Sequence, residues 1–248
     1  MRKNILITGA SSGLGREMAV QFAQKGRNLA LCARRIDRLE ILKAELLAID
    51  PNISVIIKSL DVNDHDAVFT VFNEFKQELG QLDRVIVNAG MGKGASIGTG
   101  YFEANKQTAI TNFVSALAQC EAAVTIFRAQ NSGHLVTISS ISAVRGFRRA
   151  LNVYAATKAA ITSLSEGLRM DLAKTPIKVS TIHPGFIRSE INEKVKKVPF
   201  MVDTQTGCKA MVAAIEKEGA NSYVPTWPWA IMQLIMRVAP LSLLAKMS

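Results

Sequence analysis

The sequence is poor in the residues that would mark a secreted, metal-binding or nucleic-acid-wrapping protein. It has 3 cysteines, Cys32, Cys120 and Cys208, odd in number, far apart and without metal-ligand spacing. They read as small buried hydrophobes in a reducing compartment, so neither a disulfide framework nor a bound metal is expected. Acidic residues are also scarce: 20 against 30 lysines and arginines, a formal charge of +10. That balance favours anionic partners such as a membrane surface, a phosphorylated small molecule or nucleic acid. No lysine or arginine run exceeds two residues, however, so there is no basic tail or stripe and no nucleic-acid partner is expected. The first apolar run, Ile5-Leu6-Ile7, is too short for a signal-peptide core, and a cytoplasmic location is expected, with a reservation about membrane association at the far end. No internal repeat, low-complexity tract or linker divides the chain.

What is present is an ordinary globular composition, 48% apolar and 20% charged over 248 residues, enough for one large core. Compact apolar runs at Asn4–Ala10, Asn28–Ala33, Ser54–Val62, Asp83–Ala89, His134–Ser139 and Ile177–Ile182 read as strands buried on both faces. Between them lie helical spacings over Gly13–Lys25, Ile36–Ala48 and a segment capped by Asn63 or Asp64 and stopped by Gly80. Further helices follow the glycine-rich loop up to about Arg128, with a break near Thr99–Phe102, and cover Asn152–Lys174 and Asp203–Lys217 before a last strand, Ser222–Val224. Strands alternating with helices predict an α/β fold: a doubly wound, seven-stranded parallel sheet with helices on both faces, in a single domain over 1–226. Residues 227–248 form an apolar extension packed on or beside it.

Two features point to a bound dinucleotide. The first strand runs into Thr8-Gly9-Ala10-Ser11-Ser12-Gly13-Leu14-Gly15, which opens the first helix. Glycines there permit a tight turn and let backbone amides at the helix's positive end approach a pyrophosphate. At the end of the second strand, where an NAD site usually presents an acidic residue to the ribose, stand Arg34 and Arg35. A guanidinium can hold the 2′-phosphate of NADP through forked, charge-assisted hydrogen bonds, so NADP(H) is the expected cofactor. Arg16 adds positive charge nearby, while Asp37 reads as a capping or surface residue of the next helix.

Tyr154 and Lys158 are four residues apart and so share one face of a helix. A phenol is too weak an acid to work at neutral pH, and a lysine beside it would favour the phenolate. With Thr8-Gly9-x-x-x-Gly13-x-Gly15, Asn88-Ala89-Gly90, Ser140 and Pro184-Gly185, the pair stands in the order and spacing of a known family. Over residues 8 to 190 the sequence resembles the short-chain dehydrogenase/reductase family in its NADP(H)-preferring branch.

The resemblance implies a hydride exchanged between a nicotinamide and a secondary alcohol or ketone, carbonyl reduction of a lipophilic or acyl-type substrate in particular. Tyr154 would be the general acid and base, Lys158 would lower its pKa and hold the nicotinamide ribose, and Ser140 would polarise the substrate oxygen. Asn112 would kink the long helix and support a water relay to Lys158. The serine spacing departs from the family's thirteen: Ser140 is fourteen before the tyrosine and Ser142 twelve, and Ser140 is preferred because it directly follows the fifth strand. Gly9, Ser11, Ser12, Gly13, Leu14 and Gly15 would hold the pyrophosphate. Asp61 and Val62 would close the third strand beside the adenine, although Asp61 could equally cap the next helix. Asn88, Ala89 and Gly90, with Val87 in place of a first asparagine, would line the crevice. Pro184, Gly185, Ile187 and Ser189 would cover the nicotinamide. A non-catalytic NADP(H)-binding regulator on the same fold is the alternative, though binding alone does not need the serine. A homodimer or homotetramer through the helices near 100–128 and 154–174 is also implied.

The substrate pocket should be shaped by the loop Val144–Val153, with Arg145, Arg148 and Arg149, and by the segment Phe186–Met201. The arginines could meet an anionic acyl carrier or simply be solvated. After Val224 the tail is strongly apolar, but Pro228, Pro240 and Arg237 argue against a membrane span. A flap over a greasy substrate, a subunit contact and a helix lying on a membrane with Trp227 and Trp229 at the interface all remain open.

Overall fold

The computed structural model describes residues 2–190 and 199–247. Strand β1, Asn4–Thr8, sends Ile5 and Ile7 to one face and Leu6 to the other, all without solvent exposure. A strand alternating between two apolar neighbourhoods needs helices on both sides, and this is what the chain builds. Seven parallel strands lie in the order β3-β2-β1-β4-β5-β6-β7. They are β1, β2 (Asn28–Ala33), β3 (Val55–Ser59), β4 (Arg84–Val87), β5 (Gly133–Ile138), β6 (Ile177–Pro184) and β7 (Asn221–Val224).

On one face pack α1 (Gly13–Ala23), α2 (Ile36–Ile49) and α7 (Thr204–Glu216), through Phe22, Leu39 and Met211. On the other lie α3 (His65–Leu79), α5 (Ser115–Gln130) and α6 (Leu151–Asp171), through Phe72, Phe75, Phe127 and Ile161. Burying a side chain of this size contributes about 1.5–3 kcal/mol, and the two layers together hold the sheet. All three cysteines are buried thiols.

Several boundaries differ from the sequence reading, each for a local reason. β3 stops short because Asp61 folds an Asx turn: its Oδ1 accepts from Asn63 N at 3.0 Å, and its carbonyl accepts from Asp64 N. Asp64, not Asn63, then caps α3 by accepting from Ala67 N. β4 is shorter than expected because Asp83 turns its carboxylate to the amides of Lys3 and Asn4. α6 ends at Asp171 rather than Lys174, ahead of Pro176, which disfavours helix in the residue before it. The long central helix starts at Phe102 as α4 (Phe102–Ala109) and widens into a π turn, Ile110–Val114, before α5.

At the sheet's N-terminal edge, Arg84 is almost fully buried. Its Nε donates to His134 Nδ1 at 2.8 Å, its Nη1 to Glu216 at 2.7 Å, and Glu218 lies 3.3 Å from Nη2. His134 Nε2 therefore carries the proton and donates to Ser180 Oγ at 2.8 Å. Arg27 and Arg2 close the network on Glu216 and Glu218. Buried guanidinium charge persists only when paired in this way.

Past β7 the chain folds into α8 (Thr226–Val238), kinked at Trp227, and α9 (Leu241–Met247). Trp229, Met236, Ala239 and Leu244 pack against Ile141 in a short 3₁₀ turn, Ile141–Val144, which directly follows Ser140. The apolar tail is thus built onto the main unit.

Candidate active site

The strand order reverses between β1 and β4, which opens a crevice at their C-terminal ends. Thr8 spans it: its buried hydroxyl accepts from Asn88 N and Ala89 N, each at 3.1 Å. The Asn88 carboxamide reaches back and donates to Thr8 O at 2.9 Å and Gly9 O at 3.4 Å. Asn88 was expected to line the crevice; its side chain instead clamps the glycine loop in place. A Cβ at Gly9 would lie 2.9 Å from Ala89 Cα, at φ +66°, and one at Gly15 would lie 2.5 Å from Gly9 O. Only glycine fits at either position, and the resulting turn presents the start of α1 as an anion site.

Arg35, at the mouth of α2, lays its guanidinium on this loop, donating to Ser12 Oγ at 2.9 Å and Ser11 Oγ at 3.2 Å. Each serine hydroxyl keeps its own proton for another acceptor. Glu190 lies 3.5 Å from Arg35 and 2.9 Å from Arg38. Partial burial pushes the Glu190 carboxyl up, but hydrogen bonds from Ser12 and Arg38 and the Arg35 charge outweigh this and hold it below the usual range. Arg38 was missed by the sequence reading, although it lies one helical turn beyond Arg34 and Arg35. Arg34 and Asp37 are exposed, and Arg16 is drawn away to Glu45 on α2. Asp61 is exposed and engaged in its own turn, and Val62 is buried.

The second half of the site hangs on α6. Ser139 Oγ donates to Lys158 O at 2.9 Å and pairs with Thr162 Oγ1 at 2.8 Å, which fastens the helix to the end of β5. Lys158 is buried, and its Nζ donates to Ile138 O at 2.8 Å. Burial pushes the Lys158 ammonium down to about 8. Its Nζ lies 5.8 Å from the centre of the Tyr154 ring. Ser140 starts the 3₁₀ turn, its Oγ accepting from Ser142 N at 3.1 Å and donating to Ser142 Oγ at 3.2 Å, and it is the serine that draws the Tyr154 phenol down.

Lys158 was expected to lower the Tyr154 pKa. Here burial raises the phenol and Ser140 opposes it, while the ammonium is directed at Ile138 O. Asn112 sits in the π turn, nearly unexposed, with its amide wholly used: Oδ1 accepts from Met91 N, and Nδ2 donates to Met91 O and Thr157 Oγ1. Gly90 fits between the two groups, since a Cβ there would lie 3.2 Å from Asn112 Oδ1 and 3.6 Å from Lys158 Nζ. Asn63, a candidate helix cap in the sequence, instead fixes the π turn by accepting from Thr111 Oγ1 and Ser115 Oγ.

On the far wall, Pro184 ends β6 and Gly185 N donates to Val224 O at 2.8 Å. The Ile187 side chain is buried in the core against Gly207. Ser189 Cβ would lie 3.6 Å from a Cβ on Gly13, so Ser189 does reach the glycine loop. His183 is structural, stacked on Tyr223 at 4.6 Å. Of the segment Phe186–Met201, residues 191–198 lie outside the described residues. Among the described residues no cluster of candidate metal ligands occurs.

A glycine-bearing anion site at the switch point, sharing one crevice with a serine, a tyrosine and a buried lysine, defines a dinucleotide-dependent α/β oxidoreductase. The family model described as short chain dehydrogenase matches residues 3–199, and the chain belongs to the short-chain dehydrogenase/reductase family, whose cofactor is a nicotinamide dinucleotide. An uncharacterised oxidoreductase of Mycobacterium tuberculosis is 53% identical over 239 residues, covering 96% of this chain and 94% of its own. Another from Myxococcus xanthus is 31% identical over 239 residues, with 96% and 93% covered. Among solved structures, a short-chain dehydrogenase from Sphingobium yanoikuyae in complex with NADPH matches with a TM-score of 0.82 at 26% identity, covering 94% of this chain and 92% of its own. A short chain dehydrogenase/reductase from Burkholderia phymatum in complex with NAD shares the fold, with a TM-score of 0.83 at 21% identity and coverages of 95% and 92%.

Proposed function

We propose that the protein is an NADP(H)-dependent carbonyl reductase that interconverts a secondary alcohol and a lipophilic or acyl-type ketone, with Tyr154 as general acid and base. The observation that carries this reading is the buried Lys158 lying 5.8 Å from the Tyr154 ring, with Ser140 at the end of the neighbouring strand acting on the same phenol. The glycine loop would hold the pyrophosphate of a nicotinamide dinucleotide, which would supply or accept the hydride. In reduction, Tyr154 gives its proton to the substrate oxygen while Ser140 holds that oxygen by a hydrogen bond. Burial keeps the phenol protonated at neutral pH, so Tyr154 enters reduction in its donor form, and the Lys158 charge is what must stabilise the phenolate left behind. Lys158, one helical turn away, is placed to bind ribose hydroxyls and to supply positive charge as the phenolate forms.

The preference for NADP(H) is supported by Arg35, Ser11 and Ser12 converging on one spot with Arg38 alongside. The ground beyond Ser140 is apolar, with Val144, Phe147, Phe186 and Trp229 around Ile141, which supports a lipophilic substrate. The test is consumption of NADPH by purified protein against aliphatic ketones, 3-ketoacyl thioesters, steroids and retinoids. Turnover of at least one is expected, and Tyr154→Phe should abolish it while still binding NADPH. Undiminished turnover by Tyr154→Phe would overturn the assignment.

A further inference from the structure

Helix α8 is apolar on both sides. Trp229 and Met236 face inward and are buried. On the opposite side Ile231, Leu234, Ile235 and Val238 follow the i, i+3, i+4, i+7 spacing of one helical face. They are 49%, 57%, 49% and 83% exposed, and Leu241, at the start of α9, continues the patch at 70%. A surface helix ordinarily turns polar residues outward, so a contiguous aliphatic face marks a surface that is covered by something.

Charge decides what covers it. The sequence from 219 to 248 contains no aspartate or glutamate, and neither does the loop from 141 to 153. That loop packs on the same cluster as α8 through Val144 and Phe147, and Arg145 donates to Arg237 O. Arg145 and Arg237 thus meet at the edge of the aliphatic face, and neither segment contains a carboxylate. Two copies of a chain with net charge +10, meeting through this face, would bring these cations together. An anionic lipid surface instead offers hydrocarbon to the aliphatic side chains and negative headgroups to the arginines. With 13 residues and two prolines near its start, α8 is too short to cross a bilayer and suits one lying in its surface.

We propose that the outward face of α8, with the start of α9 and the arginine-bearing loop after Ser140, docks this protein onto anionic membrane surfaces. The docking does not depend on which ketone is reduced. The test is flotation of the full-length protein with phosphatidylcholine vesicles, with and without phosphatidylglycerol, at low and high salt. Flotation with the anionic vesicles is expected, weakened by salt. The exposed substitutions Leu234→Glu and Val238→Glu together should reduce it by about tenfold or more, while leaving NADPH binding unchanged. Absence of flotation, or flotation indifferent to those substitutions, would overturn the proposal. So would light scattering that finds a wild-type oligomer which the double variant splits, because the face would then belong to a second copy.

Discussion

Lys158 donates from Nζ to the backbone carbonyl of Ile138, 2.8 Å away, and so ties α6 to the strand that delivers Ser140. The contact occupies one of the ammonium's three donors in a buried setting that already holds its pKa near 8. Activity that needs this cation should therefore fall as pH rises through about 8, well before a free lysine would titrate. A profile of kcat/KM for ketone reduction against pH should show that alkaline limb. Lys158→Arg, which keeps its charge, should lose the limb even if its rate is lower. A profile flat to pH 10, the ordinary phenol value, would count against Lys158 as the titrating group.

Glu190 competes for the same guanidinium groups that support NADP(H) selection. Arg35→Ala should weaken NADPH by roughly tenfold or more and NADH far less, since a charged hydrogen bond contributes about 1.5–3 kcal/mol. Glu190→Gln should have the opposite sign and tighten NADPH severalfold. Titration of both dinucleotides by fluorescence measures each, and equal losses for NADH and NADPH in Arg35→Ala would remove the basis for the cofactor assignment.

Asn112 uses both ends of its amide, so aspartate is a poor substitute despite its shape. Asn112→Asp would keep the bond from Met91 N but lose the donor to Met91 O and Thr157 and set a carboxylate against a carbonyl. A loss of about 1–3 kcal/mol is expected, read as a shift in the urea midpoint. An unchanged midpoint would show that the π turn is held by its other contacts.

His134 links stability to acid. Burial, then the neighbouring Arg84 charge, pushes it from 6.5 to about 3 in the folded chain. Between those values the unfolded chain binds the proton and the folded chain does not, so stability present above pH 6.5 is lost as pH falls towards 3. One such proton gives a slope of up to about 1.4 kcal/mol per pH unit. His134→Gln can accept from Arg84 and donate to Ser180 without titrating. Urea unfolding across this range should give the variant a shallower slope, and parallel slopes would exclude His134 as the source.

The parts legible in sequence were those written locally. Ile5-Leu6-Ile7 states a strand with two buried faces, and the glycine loop and the Tyr154–Lys158 spacing state a turn and a helix face. What the Asn88 and Ile187 side chains touch was not legible, because it depends on Thr8 and Gly207, neighbours distant in sequence. Arg84 and His134 carry no pattern at all: fifty residues separate them, and only the pairing of β4 with β5 makes them partners. The outward aliphatic face of α8 was hidden for another reason. A uniformly apolar segment does not say which of its sides will meet the core.

The indole of Trp229 lies where a Cβ on Gly185 would be, with Nε1 2.0 Å from that position. The tail is thereby keyed into the wall of the crevice with no slack. Its outer side chains can change with whatever surface they meet, whereas its inner ones are held to a single fit. The exterior of α8 is thus free to vary without disturbing that fit, whereas a shift of the whole helix would be felt at once at Gly185.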